Sequence, residues 1–146
     1  MGFRHESFGS GAVRRAMALA AALCWCWSGC GATLSPAEAT QLRHRLREAM
    51  QADVSTRAQR DDQSRLLADV VHKGALDHLS QEDVRAALGA GQACRNELCE
   101  KHGFSDTDWY YEIGRAQSDQ VKQLPVLIVG FDPQGRAVRV WTLTTH

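Results

Sequence analysis

The sequence has no excess of charge of either sign and no apolar run long enough to span a membrane. Its 17 basic and 17 acidic side chains cancel, and no long Lys/Arg cluster is present. These absences argue against a nucleic-acid partner and against direct electrostatic binding to a membrane surface. The apolar run from Ala16 to Trp27 is well short of the roughly 20 residues that cross a bilayer. We therefore expect no permanent transmembrane helix.

Motifs of catalysis and of phosphate binding are also missing from the chain. It contains no Gly-x-Ser-x-Gly, no His-Glu-x-x-His and no phosphate-binding glycine loop. The carboxylates of Glu112 and Asp132 are isolated, and Asp132 is most simply a turn residue. The histidines that follow residue 30 show no repeated spacing: His44, His72, His78, His102 and His146. The sequence predicts no enzymatic activity and no cofactor.

The N-terminal region has the pattern of an export signal. Two arginines precede the short apolar run, and the small residues Ser28 and Gly29 lead to Cys30. A basic start, an apolar core and small residues before the cleavage site are typical of a signal that is removed from the mature protein. The ending resembles a bacterial lipobox. It implies a signal peptide over residues 1–29 and lipidation of Cys30, which becomes the new N-terminus.

An ordinary secretory signal is the alternative, because Trp27 stands where a lipobox usually has an aliphatic residue. Residues 37–39, Ala-Glu-Ala, have the small-x-small form of a secretory cleavage site. Either signal exports the protein. If Cys30 is the mature N-terminus, the mature chain has a net charge of about −2. Its link to the membrane is then the lipid itself, since stable anchoring takes about two acyl chains or equivalent signals.

Cys94 and Cys99 are the one cysteine pair left when the signal region and Cys30 are set aside. An exported protein meets an oxidising compartment, so this pair predicts a disulfide. His102 extends the pattern to C-x4-C-x2-H, which offers three zinc ligands where a structural site needs four. The disulfide is the favoured interpretation and the zinc site the alternative, and we expect no metal.

Residues 37–73 contain no glycine or proline and carry apolar residues at helical spacing near both ends. Ser35 and Glu38 have the spacing of a capping box at the start of this segment. The middle, residues 51–65, is polar, with acidic and basic residues spaced for i,i+4 ion pairs. The segment is one long helix, two helices or a partly helical tether. We assign residues 30–65 to a lipidated tether with a polar helical segment.

Residues 66–146 predict a small α+β domain. Ser80 caps a helix that ends at Gly89, and residues 92–108 follow as a loop with the cysteine pair. Three segments rich in strand-forming residues then predict antiparallel strands: 109–113, 125–131 and 137–143. The fold class is α+β, with two helices on a three-stranded antiparallel sheet (ααβββ), preceded by the long helical N-terminal segment.

The order of motifs in this region resembles the BamE-like (SmpA/OmlA) lipoprotein domain. The matching pieces are a helix that ends Leu88-Gly89, a Trp-x-Tyr strand at 109–111, and an apolar strand that ends Phe-Asp-x-x-Gly at 131–135. Members of this family sit on the inner leaflet of the outer membrane. The type member is an accessory subunit of the complex that folds β-barrel proteins into that membrane. The same layout also resembles modules that bind and inhibit β-lactamases.

The resemblance implies a role and no reaction, because one fold can serve unrelated partners. We expect a non-enzymatic, lipid-anchored scaffold on the periplasmic face of the outer membrane, acting by contact with an envelope protein. The alternative is a periplasmic inhibitor or ligand-binding module of the same fold, tethered, soluble or secreted.

Alternation along the strands places a candidate binding patch on the sheet face away from the helices. If Val138 and Val140 face the helices, their neighbours on the last strand point the other way. The four side chains of this patch are Tyr110, Glu112, Arg139 and Trp141. Aromatic and arginine side chains on an open face are typical of protein-binding surfaces. Alternatively, the long helical segment covers this face and Trp141 belongs to the core.

Overall fold

The structure is a computed structural model that describes residues 34–119, 121 and 123–143. The predicted signal peptide, the predicted lipidation site Cys30, and His146 lie outside the described residues. The described residues belong to one compact unit. Within these ranges, no helix combines the length and the apolar character needed to cross a membrane.

The helices and strands give an α+β fold, as predicted. The helices among the described residues are α1 (Pro36–Gln51), α2 (Arg57–His72), α3 (Gln81–Leu88) and α4 (Glu97–Lys101). The strands are β1 (Asp53–Val54), β2 (Gln92–Ala93), β3 (Trp109–Glu112), β4 (Arg115–Ala116), β5 (Val126–Phe131) and β6 (Ala137–Leu143). One antiparallel sheet has the order β2-β3-β5-β6, and β1 pairs with β4 in parallel. The described sheet thus has four strands where three were predicted, because β2 pairs with β3.

Polar side chains cap the starts of the three longer helices. Ser35 and Glu38 form a reciprocal capping box at α1, as predicted, and Thr56 and Gln59 form another at α2. Ser80 caps α3 through its hydroxyl. Each cap gives a partner to backbone N–H groups that have none within the helix. Local sequence therefore fixes where these three helices begin.

Helices α1, α2 and α3 pack on one face of the sheet. The core that they share with the strands includes Leu42, Leu46, Leu67, Val70, Val84, Trp109, Tyr111, Leu127 and Val129. Leu46 of α1 is fully buried. This corrects the prediction that residues 30–65 form a tether. Of this segment, residues 36–65 are described, and they belong to the folded unit as α1, β1 and the first part of α2.

A short parallel strand pair separates α1 from α2. Asp53 and Val54 pair with Arg115 and Ala116, and Arg115 Nε lies 3.1 Å from Asp53 Oδ1. The segment is thus two helices and not one. Because the chain leaves the helix here, the Asp53 carboxylate forms its ion pair across the strands and not with a helical neighbour four residues on.

Gly114 allows the chain to pass close to this junction. Its φ is +101°, a conformation that side-chain-bearing residues rarely adopt. A Cβ atom at this position would lie 2.6 Å from Val54 Cγ2 and 2.7 Å from Gln63 Nε2. The Gln63 side chain in turn donates a hydrogen bond to the Ala49 carbonyl at 3.1 Å. Only glycine fits where the chain leaves β3.

We expect Leu46→Ala to destabilise the protein by about 2–5 kcal/mol, because it removes a fully buried side chain from the shared core. Gln41→Ala, at an exposed position of the same helix, is the control and should change the free energy of unfolding by less than about 0.5 kcal/mol. Urea unfolding measures both. Equal stabilities of the two variants would show that α1 lies outside the core.

Candidate functional site

The candidate binding residues lie on the sheet face opposite α1, α2 and α3, which we call the far face. Residues that pair across the strands form three rows on this face. The first row is Glu112, Val126 and Leu143, the second is Tyr110, Ile128 and Trp141, and the third is Gly130 and Arg139. Residues that pair directly across antiparallel strands point to the same side of the sheet. The four predicted residues therefore share one face and occupy three adjacent rows.

Val138 differs from the prediction, since it is 60% exposed and does not face the helices. The pairing of β5 with β6 shifts between Gly130 and Phe131, which leaves Val138 as the extra residue of a β-bulge. Ala137 takes the buried position instead. Its N–H donates to the Leu79 carbonyl at 2.8 Å, which ties the start of β6 to the segment before α3.

Residues 94–104, here called the cover, lie over part of the far face. Cys94 and Cys99 are at disulfide-bonding distance, with Cα atoms 5.6 Å apart. Both cysteines are buried with Phe104 and Ile128 in a second apolar cluster. The region predicted as a loop thus contains α4 and packs on the sheet. This segment, and not the long helical segment of the alternative interpretation, covers part of the far face.

Trp141 and Arg139 contact the cover. The ring centroid of His102 lies 4.2 Å from that of Trp141, and the Phe104 centroid lies 6.4 Å from it. The Arg139 guanidinium carbon is 3.6 Å from the Phe104 ring centroid, a cation–π distance, and its Nη2 donates to the His102 carbonyl at 2.9 Å. These two members of the predicted patch hold the cover on the sheet.

Asp108 holds the segment that follows the cover against β5. The sequence motifs do not mark this residue. Its carboxylate is buried and accepts two backbone hydrogen bonds, from Phe131 N–H at 3.0 Å and from Ser105 N–H at 2.8 Å. A buried carboxylate is costly unless such donors satisfy it. The two bonds connect the segment after the cover to β5. Without the tertiary partner on β5, no local pattern distinguishes Asp108 from a loop aspartate.

Tyr110 and Glu112 border a groove at the other end of the far face. The groove has a volume of about 430 Å³ and lies between the cover and the segment that precedes β5. The large apolar residues that line it are Leu98, Leu124, Val126 and Leu143. The cover therefore divides the predicted patch: Arg139 and Trp141 pack against it, whereas Tyr110 and Glu112 line the space that it leaves open.

The described lining of the groove has one charged group. Of the described residues that line it, only Glu112 carries a formal charge. Burial raises the pKa of the Tyr110 phenol, and the negative charge of Glu112 and a hydrogen bond to its carboxylate raise this pKa further. The phenol is therefore neutral at physiological pH. Chemically, the described lining offers aliphatic side chains, one aromatic ring, one carboxylate and the amide side chain of Gln123.

The alternative zinc pattern is not assembled in the described part of the chain. Within residues 34–143, apart from positions 120 and 122, no three His, Cys, Asp or Glu side chains are placed to hold a metal ion. His102 stacks on Trp141 instead. Asp132 acts in the predicted turn, where its Oδ1 accepts the N–H groups of Gln134 and Arg136 at 2.9 and 2.8 Å.

Comparisons with known proteins identify no relative of this chain. Searches against protein-family models, curated proteins and solved structures found no match. The similarity to the BamE-like domain stays a prediction from motif order. The functional inference consequently depends on the far face and on the N-terminal signal pattern.

We expect Trp141→Ala to cost about 1–3 kcal/mol of stability. Substitution at a surface position changes stability very little, whereas replacing a fully buried tryptophan by alanine costs roughly 3–5 kcal/mol. The cost at Trp141 lies between these values because the cover buries only part of its side chain. Val138→Ala on the same strand is the control, with an expected change below about 0.5 kcal/mol. Thermal unfolding of both variants gives the comparison. If Trp141→Ala unfolds like wild type, the cover does not pack on this residue.

Proposed function

We propose that the protein is a non-enzymatic, lipid-anchored envelope scaffold that acts through protein–protein contact on its far face. Its place is the periplasmic face of the outer membrane, and its partner is an envelope protein, with a role in outer-membrane protein assembly. The observation that carries this proposal is the open end of the far face, where Tyr110 and Glu112 border a groove lined in part by leucine and valine side chains. Tyrosine beside apolar surface is typical of a protein-binding site.

The proposal takes α2, α3, β3, β5 and β6 as the ααβββ arrangement of a BamE-like domain. In this arrangement α1 adds a third helix to the helix face, and β2 and the cover are an insertion between α3 and β3. The insertion covers the end of the far face that carries Arg139 and Trp141, and it leaves the end with Tyr110 and Glu112 open. It therefore determines where a partner can bind.

The lipid anchor is proposed from the sequence pattern Ser28-Gly29-Cys30. We expect Cys30→Ser to abolish incorporation of labelled fatty acid, because the acyl chains are attached to this cysteine, and to leave the protein unprocessed or soluble. Cys24→Ser, within the signal itself, is the matched control and should be labelled like wild type. Metabolic labelling and membrane fractionation measure both effects. Unchanged labelling and fractionation of Cys30→Ser would exclude the anchor.

Site-specific photocrosslinking tests the contact surface. A photoreactive residue in place of Ala116, which lines the groove, should crosslink to an envelope protein, because the groove is the proposed contact site. The same residue in place of Gln41 on α1, an exposed position on a helix that packs on the opposite face, is the control and should not. Recovery of barrel-assembly subunits supports the scaffold. Recovery of a single soluble hydrolase would favour the inhibitor instead, and equal crosslinking from both positions would contradict the far face as the contact surface.

A further inference from the structure

The described lining of the groove on the far face combines large aliphatic side chains with one negative charge, that of Glu112, at one row of the sheet. Glu112 pairs with Val126, and Val126 pairs with Leu143, so the carboxylate and two apolar side chains lie side by side across three strands. Leu98 of the cover and Leu124 complete the apolar lining. Among the described residues that line the groove, none carries a positive charge.

This combination matches one class of side chain. Lysine and arginine carry an apolar stem of three or four methylene groups that ends in a positive charge, so they bury the stem on apolar surface while the charge stays at a polar edge. An aromatic ring next to the position of the charged group adds a cation–π contact. Tyr110 supplies such a ring next to Glu112 along β3. An acidic side chain would instead meet the carboxylate of Glu112 with a repulsive charge.

We propose that the far-face groove binds a segment of a partner protein that places a lysine or arginine directly beside an apolar residue. The basic group pairs with Glu112, and the apolar residue packs on Leu98, Val126 and Leu143. This inference rests on the proposed contact function and adds the chemistry of the partner. It also assigns the contact to Tyr110 and Glu112, whereas Arg139 and Trp141 act by holding the cover that forms one side of the groove.

Selection from a library of random heptapeptides tests the proposal without knowledge of the natural partner. The full-length chain is held in non-ionic detergent, and peptides are selected on wild type, on Glu112→Gln and on Glu112→Lys. Wild type should enrich peptides with Lys or Arg next to an apolar residue. Those peptides should bind Glu112→Gln about two- to fivefold more weakly, the range expected for an exposed charge pair. Selection on Glu112→Lys should replace the basic residue by Asp or Glu.

Glu82→Gln is the matched control, since it removes the same charge from an exposed position of α3 on the other side of the sheet. Peptides selected on wild type should bind this variant as they bind wild type. Enrichment without a basic residue, equal binding to Glu112→Gln, loss of binding in Glu82→Gln, or no enrichment at all would each overturn the proposal. Glu112 is exposed, and unchanged thermal unfolding of its variants confirms that the fold is intact.

The peptide selection is independent of the anchor and of the natural partner. If the selection fails, the proposal that the groove prefers a basic segment is rejected. The fatty-acid labelling and the photocrosslinking from position 116 would still test the proposed function. Conversely, a soluble, unlabelled protein that selects basic peptides would keep the binding chemistry and lose the lipid anchor. The two proposals therefore fail in distinguishable ways.

Discussion

Burial of β5 on both of its faces is the constraint on which the rest of the structure depends. Leu127 and Val129 belong to the core beneath α1, α2 and α3, whereas Val126 and Ile128 belong to the cluster beneath the cover. A strand with two apolar faces needs a layer on each side of the sheet. Three helices supply a full layer on one side. The cover supplies only a partial layer on the other, and the groove is the part of the far face that remains.

Elements whose signals are local could be predicted from the sequence. The capping box at Ser35, the cap at Ser80 and the Asp132 turn depend on residues within four positions of each other, and all three are present as predicted. Strands β3, β5 and β6 lie within two residues of their predicted bounds because long runs of strand-forming residues mark them. Alternation along these strands also predicts that Tyr110 and Trp141 share one face of the sheet, as the strand register has them.

Features held by distant partners could not be predicted in the same way. The break between α1 and α2 depends on pairing with β4, and the polar composition of residues 51–65 alone fits a continuous helix as well as a break. The bulge at Val138 likewise depends on the contact of Ala137 with the segment before α3. Near the candidate site, the one sequence feature that indicates packing of residues 94–104 on the sheet is the pair of apolar residues Leu98 and Phe104 beside the two cysteines. The position of the groove follows from that packing.

The shared core has a consequence for the order in which the chain can fold. Leu42 and Leu46, near the start of the described residues, pack in one cluster with Leu127, Val129 and Ala137, near its end. Contacts of such sequence separation close only after most of the chain is available, and they make folding slow. During synthesis, α1 and α2 therefore emerge without the surface that buries them. The chain reaches its native packing only after β5 and β6 are made, so it acquires its structure as a whole.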